Sequence, residues 1–149
     1  MAWAAAGLLA LGGCASRPVQ VVAPEVGAVS ARAVPLPPPA VSGTWEEYRL
    51  QAARRMVAAH PGLSYMGTPP EPLMGIPVVE VELDADGSVR AIQVLREPSE
   101  ARQTVQVAVD IVRAAAPYGD VSRLPKPWKF VEVFLFDYDG RFKPATLDR

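Results

Sequence analysis

The sequence predicts an α+β domain built in the order helix, β-hairpin, helix, β-strand, and three stretches carry that prediction. Residues 78–95 run Val78-Val79-Glu80-Val81-Glu82-Leu83, Asp84-Ala85-Asp86-Gly87, then Ser88-Val89-Arg90-Ala91-Ile92-Gln93-Val94-Leu95, two strand-like arms around an Asp-Gly turn. Residues 44–59 carry apolar side chains at helical spacing behind a capping sequence. Residues 128–136 are dominated by β-branched and aromatic side chains. The chain has 149 residues and 16 prolines, many of them crowded ahead of Gly43. The stretch C-terminal to Gly43 is long enough for one modest core and too short for two.

Taken in order, residues 1–15 are Met-Ala-Trp-Ala-Ala-Ala-Gly-Leu-Leu-Ala-Leu-Gly-Gly-Cys-Ala. The apolar run is too short to span a bilayer as a helix and has the length of a signal-peptide hydrophobic region. Residues 16–43 are rich in Pro, Val and Ala and include Pro35-Leu36-Pro37-Pro38-Pro39. Consecutive prolines fix φ and remove donors, so this stretch is expected to be an extended, stiff linker with an upper reach on the order of 80 Å.

The domain is expected over residues 44–140. Thr44-x-x-Glu47 fits a capping box, and Trp45, Tyr48, Ala52, Met56 and Ala59 fall on one face of the ensuing helix. Glu46, Arg49, Arg54 and Arg55 read as its solvated face, and Pro61-Gly62 ends it. Residues 63–77 form a proline- and glycine-rich loop. In the first hairpin arm Val79, Val81 and Leu83 share one face with Glu80 and Glu82 on the other, whereas the second arm changes parity, which predicts a bulge near Ala91.

The second helix is expected to start at Pro98-Ser99-Glu100 with Ser99 as N-cap, and to run an apolar face through Ala101, Val105, Ala108, Val109, Val112 and Ala115 to Pro117. The last strand places Val131, Val133 and Leu135 on one side and Phe130, Phe134 and Phe136 with Glu132 on the other. Asp137-Tyr138-Asp139-Gly140 is a turn, and residues 141–149 are expected to be a loose tail.

These residues carry two resemblances. Leu11-Gly12-Gly13-Cys14 resembles a bacterial lipoprotein box, although no Lys or Arg precedes Arg17. It implies cleavage before Cys14, lipidation of Cys14 and a membrane anchor, and Ala15 in the position after it implies the outer rather than the inner membrane. The alternative is a free cysteine in an apolar N-terminal stretch. The second is carried by Val79-x-Val81-x-Leu83-Asp84-x-Asp86-Gly87-Ser88-Val89, Val94, Ala114-Ala115-Ala116-Pro117-Tyr118 and Phe130-x-x-x-Phe134-x-Phe136. Over roughly residues 44–136 these resemble the C-terminal domain of the TonB/TolA family. That resemblance implies a small three-stranded antiparallel sheet with two helices packed on one face, and a final strand at the sheet edge beside the first hairpin arm. Energy transducers of that family carry a transmembrane helix, which is not found here, so energy transduction by this chain alone is disfavoured.

The residue inventory points away from catalysis. The 15 basic and 16 acidic residues nearly balance, leaving no basic footprint for nucleic acid. The single His60 sits at a helix end, where a basic side chain suits the dipole, and the single Cys14 has no partner for a disulfide or a zinc site. Glu82-x-Asp84-x-Asp86-Gly87 approaches a calcium loop, but Gln93 stands where the bidentate Glu is needed and the flanks alternate like strands. No catalytic residues, metal or cofactor are therefore expected.

The remaining possibility is recognition by main chain, since an edge strand offers unpaired amides and carbonyls to an extended peptide. The candidate docking rail is Lys129, Phe130, Val131, Glu132, Val133, Phe134, Leu135 and Phe136. The expected function is that of a non-enzymatic envelope lipoprotein, facing the periplasm, that binds an envelope protein or extended peptide by strand addition, as an accessory to TonB-dependent transport or envelope integrity. The alternative is an assembly lipoprotein that forms a homodimer through the same edge.

Overall fold

The structure, a computed structural model, describes residues 34–148. The signal segment with Cys14, the first part of the linker and Arg149 lie outside the described residues. The elements are α1 (Trp45–Ala59), β1 (Val78–Leu83), β2 (Val89–Arg96), α2 (Gln103–Ala115), β3 (Lys129–Phe136), β4 (Phe142–Pro144) and a short 3-10 turn, η1 (Ala145–Leu147). The fold is α+β, and its antiparallel sheet has four strands in the order β2-β1-β3-β4, one more than expected.

The extra strand comes from the expected loose tail. Phe142 and Lys143 are buried, and Lys143 Nζ donates to the Gly67 carbonyl and to Asp148 Oδ1. The apolar Phe142 packs beside Phe134 and Phe136, with ring centroids 5.8 and 6.3 Å away. Burial of that ring outweighs the freedom of a short terminal segment, because a fully buried Phe contributes about 1.5–3 kcal/mol. His60 joins the same cluster. It is buried, with Nδ1 3.1 Å from the Met56 carbonyl and its ring edge-on to Phe142, and is therefore a packed residue and not an exposed helix-end charge.

The helix start in α1 matches the sequence closely. The Thr44 hydroxyl accepts from the Glu47 amide at 3.2 Å, while Glu47 Oε2 accepts from the Gly43 amide, one residue earlier than a capping box prescribes. Tyr48, Ala52, Met56 and Ala59 are buried against Val79, Val81, Phe130 and Phe134 of the sheet and Ala108, Ile111, Val112 and Ala115 of α2. Arg55 departs from the expected solvated face. It is 9% exposed, and its guanidinium donates to the Ala115 carbonyl and, at 2.8 Å, to the Pro37 carbonyl.

That second bond belongs to a larger correction. Residues 34–43 are not a free linker but an extended strap along α1. Val34 donates to the Ala59 carbonyl, Gln51 donates to the Ala40 carbonyl, Leu36 packs on the core and Ser42 is buried. Proline-rich backbone has few donors of its own, and its carbonyls take donors from Arg55 and Gln51 instead.

The second helix begins at Gln103, after Ser99, with Arg102 at the cap position and no side-chain capping bond. Ala101 is buried, and its carbonyl accepts both the amide and the hydroxyl of Thr104, a local turn that delays the helix. In the hairpin, β1–β2 pairing skips Arg90 between Ala91 and Val89, next to the expected position, and skips Leu95 near the other end.

The hairpin turn is locked from outside. Gly87 has φ +81° and its carbonyl accepts from Tyr118, while Val121 donates to the Ala85 carbonyl. A Cβ on Gly87 would lie 2.0 Å from the Gly119 oxygen, so only glycine fits. Replacing Gly87 with Ala is expected to cost at least about 2 kcal/mol, combining overlap with backbone and an unfavourable φ, read as a lower urea midpoint with unchanged slope.

Candidate functional site: a groove at the open half of β3

Antiparallel pairing sends alternate residues' main-chain groups to opposite sides of a strand. In β3 the even residues bond towards β1, as shown by the Phe134 amide on the Pro77 carbonyl and the Phe136 amide on the Gly75 carbonyl. The odd residues therefore face the other way. Leu135 is paired there with Lys143 of β4, whose contact with β3 covers only Phe134, Leu135 and Phe136. Continuing that register would bring Ala145 opposite Val133, but the chain turns into η1 at Ala145. The outward side of Lys129–Val133 is left without a strand.

This splits the expected docking rail. Lys129, Phe130, Val131, Glu132 and Val133 line a groove of about 680 Å³. Phe134, Leu135 and Phe136 do not, because β4 occupies their outward side; the last long strand is interior to the sheet over that half, and the outer strands are β2 and β4. Phe130 is a core residue that reaches the groove from beneath, edge-on to Tyr48 and Tyr118. β2, at the far edge of the sheet, is mostly exposed along Val89–Arg96.

Within the groove, the Val131 amide and carbonyl have no hydrogen-bond partner among the described residues, whereas the Lys129 amide donates to Pro127. One wall is α1, through Trp45 and Arg49. Trp45 Nε1 donates to the Pro125 carbonyl at 2.9 Å, which ties the wall to the proline loop closing one end. In that loop Lys126 lies over the Trp128 ring at 4.4 Å. Lys129 is paired with Glu80 of β1 at 3.0 Å, and Ala145 and Thr146 close the other end.

Glu132 is the unusual residue. It lies on the inward face among aromatic side chains and is 1% exposed. Its Oε1 accepts two amides at 3.2 Å each, from Val133 and from Thr146, and its Oε2 is buried with no partner. Burial pushes its pKa up, against hydrogen bonding from Thr146 and Val133 and the positive charge of Arg49. Burial also holds the Tyr48 and Tyr118 phenols well above their usual range, neutral, with Tyr48 donating to the Gly119 carbonyl and Tyr118 to the Val112 carbonyl.

Sequence reasoning did not find Trp45, Arg49, the Pro125–Pro127 loop or Thr146 as groove residues. Trp45 had a usable signal, an aromatic at the first position of a helix. Thr146 had none, because nothing local marks the segment after Gly140 as folded. Among the described residues no group of three or more His, Cys, Asp or Glu is placed to hold a metal ion, and no helix is long and apolar enough to cross a membrane. Comparison of the chain with protein-family models, with curated proteins and with solved structures gives no match.

The sign of the Glu132 effect on stability is fixed by its direction of shift. A carboxyl that binds its proton more tightly folded than unfolded supports the fold when protonated, and that support is lost as pH rises through the folded value. Asp86 and Asp120 are shifted the opposite way by hydrogen bonds from Ser88 and Ser122, so their contributions are lost only in stronger acid. Glu132→Gln is expected to flatten the fall in thermal midpoint as pH rises above the ordinary carboxyl value, with the gap to the parent protein widening as pH rises. Parallel melting curves at about pH 4, 6 and 8 check this.

Proposed function

We propose that the protein is a non-enzymatic cell-envelope lipoprotein whose domain takes up an extended segment of a partner protein, adding it as a strand along the open half of β3, on Lys129–Val131. The observation that carries this reading is the Val131 amide and carbonyl, outward-facing and unpartnered among the described residues, at the base of a groove walled by α1. Such a rail supplies main-chain bonds for affinity, and alternate side chains of the incoming strand meet the two walls. One wall offers Trp45 and Arg49, the other Val131 and Val133 with the Lys129–Glu80 pair. The resemblance of the hairpin, the second helix and the aromatic strand to TonB/TolA C-terminal domains supports the same use, as an accessory to TonB-dependent transport or envelope integrity. The lipobox-like Leu11-Gly12-Gly13-Cys14 supports a lipid anchor at Cys14 and a periplasm-facing, outer-membrane location.

Peptides selected from a random ten-residue display library against the protein are expected to perturb the amides of Lys129 and Val131 in NMR titrations. Val131→Pro removes the outward donor and blocks approach, while edge-facing proline is compatible with the β1–β3 ladder. It is expected to weaken those peptides at least tenfold without loss of cooperative unfolding. Selected peptides that map elsewhere and ignore Val131→Pro overturn the docking reading. A concentration-dependent dimer abolished by the same variant makes the edge a self-association surface instead.

The anchor is tested separately. Cells expressing the protein are expected to incorporate a fatty-acid analogue into it, and Cys14→Ala is expected to abolish the label. Equal labelling of both rejects lipidation at Cys14.

A further inference from the structure

Four features of the molecule play no part in strand addition as proposed: the exposed β2 edge, the strap pockets along residues 34–39, the Asp86 and Asp120 turns, and Glu132. The strap pockets are shallow spaces lined by the strap's own prolines, with nothing in the structure to say what would occupy them, and the two aspartates are each satisfied by a serine two residues on. Glu132 is different, because its geometry joins two things the sequence keeps apart.

Val133 is the first β3 residue beyond the reach of β4, and its amide points out of the sheet where Ala145 would have paired with it. Glu132 Oε1 takes that amide and the Thr146 amide together, so a single carboxyl oxygen stands in for the missing strand partner and pins the first turn of η1 beside it. An inward-pointing charge next to an open edge is one of the ways sheets prevent unwanted pairing. The orphan Oε2 fits a group kept for its position, since a buried unsatisfied oxygen costs stability where an apolar side chain of the same size would not.

We infer that Glu132 is a latch on the β3 edge: it caps the Val133 amide and holds η1 across the end of the groove, so that a docking strand pairs only as far as Val131 until the latch lets go. This rests on the strand-addition reading for its use, but the latch itself is a property of the free protein. Release uncovers one further outward amide and removes Ala145 and Thr146 from the groove's end, lengthening the rail towards β4.

Amide hydrogen exchange on the intact protein tests it. In Glu132→Met, which keeps the length and removes both acceptors, Val133 and Thr146 are expected to exchange at least tenfold faster, while Phe134 and Phe136, bonded to Pro77 and Gly75, keep their protection. Thr146→Pro removes the Thr146 amide and hydroxyl but leaves Glu132 and the Val133 amide in place, at a position whose turn geometry suits proline. It is expected to speed exchange at Asp148, whose amide closes η1 on the Ala145 carbonyl, and to leave Val133 protected. Unchanged exchange at Val133 and Thr146 in Glu132→Met overturns the latch. So does loss of protection across the whole sheet in that variant together with unchanged Asp148 exchange in Thr146→Pro. Library-selected peptides are expected to bind Glu132→Met three- to tenfold more tightly, with the footprint extending through Val133. Equal binding to parent and variant overturns the latch as a limit on docking. No binding to either, with the exchange changes present, leaves the latch standing and removes strand addition as its purpose.

Discussion

Everything at the candidate site depends on where the chain stops running alongside β3. Pairing of β4 with β3 proceeds through Phe142, Lys143 and Pro144 and would next set Ala145 against Val133. The turn into η1 at Ala145 withdraws that partner. Pro144 itself sits opposite Phe134, whose main-chain groups face β1, so the donor that proline lacks is not one β3 needs; its absence instead blunts the outer side of β4. One strand thus has two kinds of edge. Its C-terminal half is sealed by burial of Phe142 and by the Lys143 bonds to Gly67 and Asp148, and its N-terminal half lies open beneath α1.

Glu132 sits at the seam between the halves and costs the protein stability. A carboxyl on the buried face between Phe130 and Phe134 loses hydration, and only one of its oxygens recovers hydrogen bonds. The orphan oxygen alone corresponds to about 1–3 kcal/mol, a large share of a small domain's stability. Arg49 lies close enough to oppose the effect of burial without forming an ion pair. A local violation of core chemistry beside an open main chain is the pattern expected where a site, and not the fold, sets the residue.

The scaffold was legible because its signals are local. Thr44 and Glu47 announce α1, Asp86-Gly87 announces the turn, and the period-two pattern of Val79, Val81 and Leu83 matches the buried face of β1. The bulge beside Ala91 was legible from the parity change in the second arm. The site was legible only in part. Lys129, Val131 and Val133 were open to reading as a rail, but the fate of Phe134, Leu135 and Phe136 depended on Phe142 returning from beyond a turn, a long-range packing event with no local mark. Arg55 failed for a related reason: a guanidinium is buried when carbonyls come to meet it, and those of Pro37 and Ala115 lie far along the chain. The excess of apolar residues on both sides of the last strand was a usable hint that more of the chain would pack there than the tail's composition suggested.

The strap has a mechanical consequence. It runs back along α1, from Thr44 at the helix start to Val34 beside Ala59 at the helix end, fastened at separate points by Ala59, Arg55 and Gln51. Tension drawn through residue 34 loads these fasteners one at a time, as in peeling tape, and not all together in shear. Letting go of residues 34–43 would add roughly 30 Å of slack before any force reached the helix, at the extended rise of the chain. The groove, whose Trp45 wall directly follows the strap, is where the load arrives once the strap has let go.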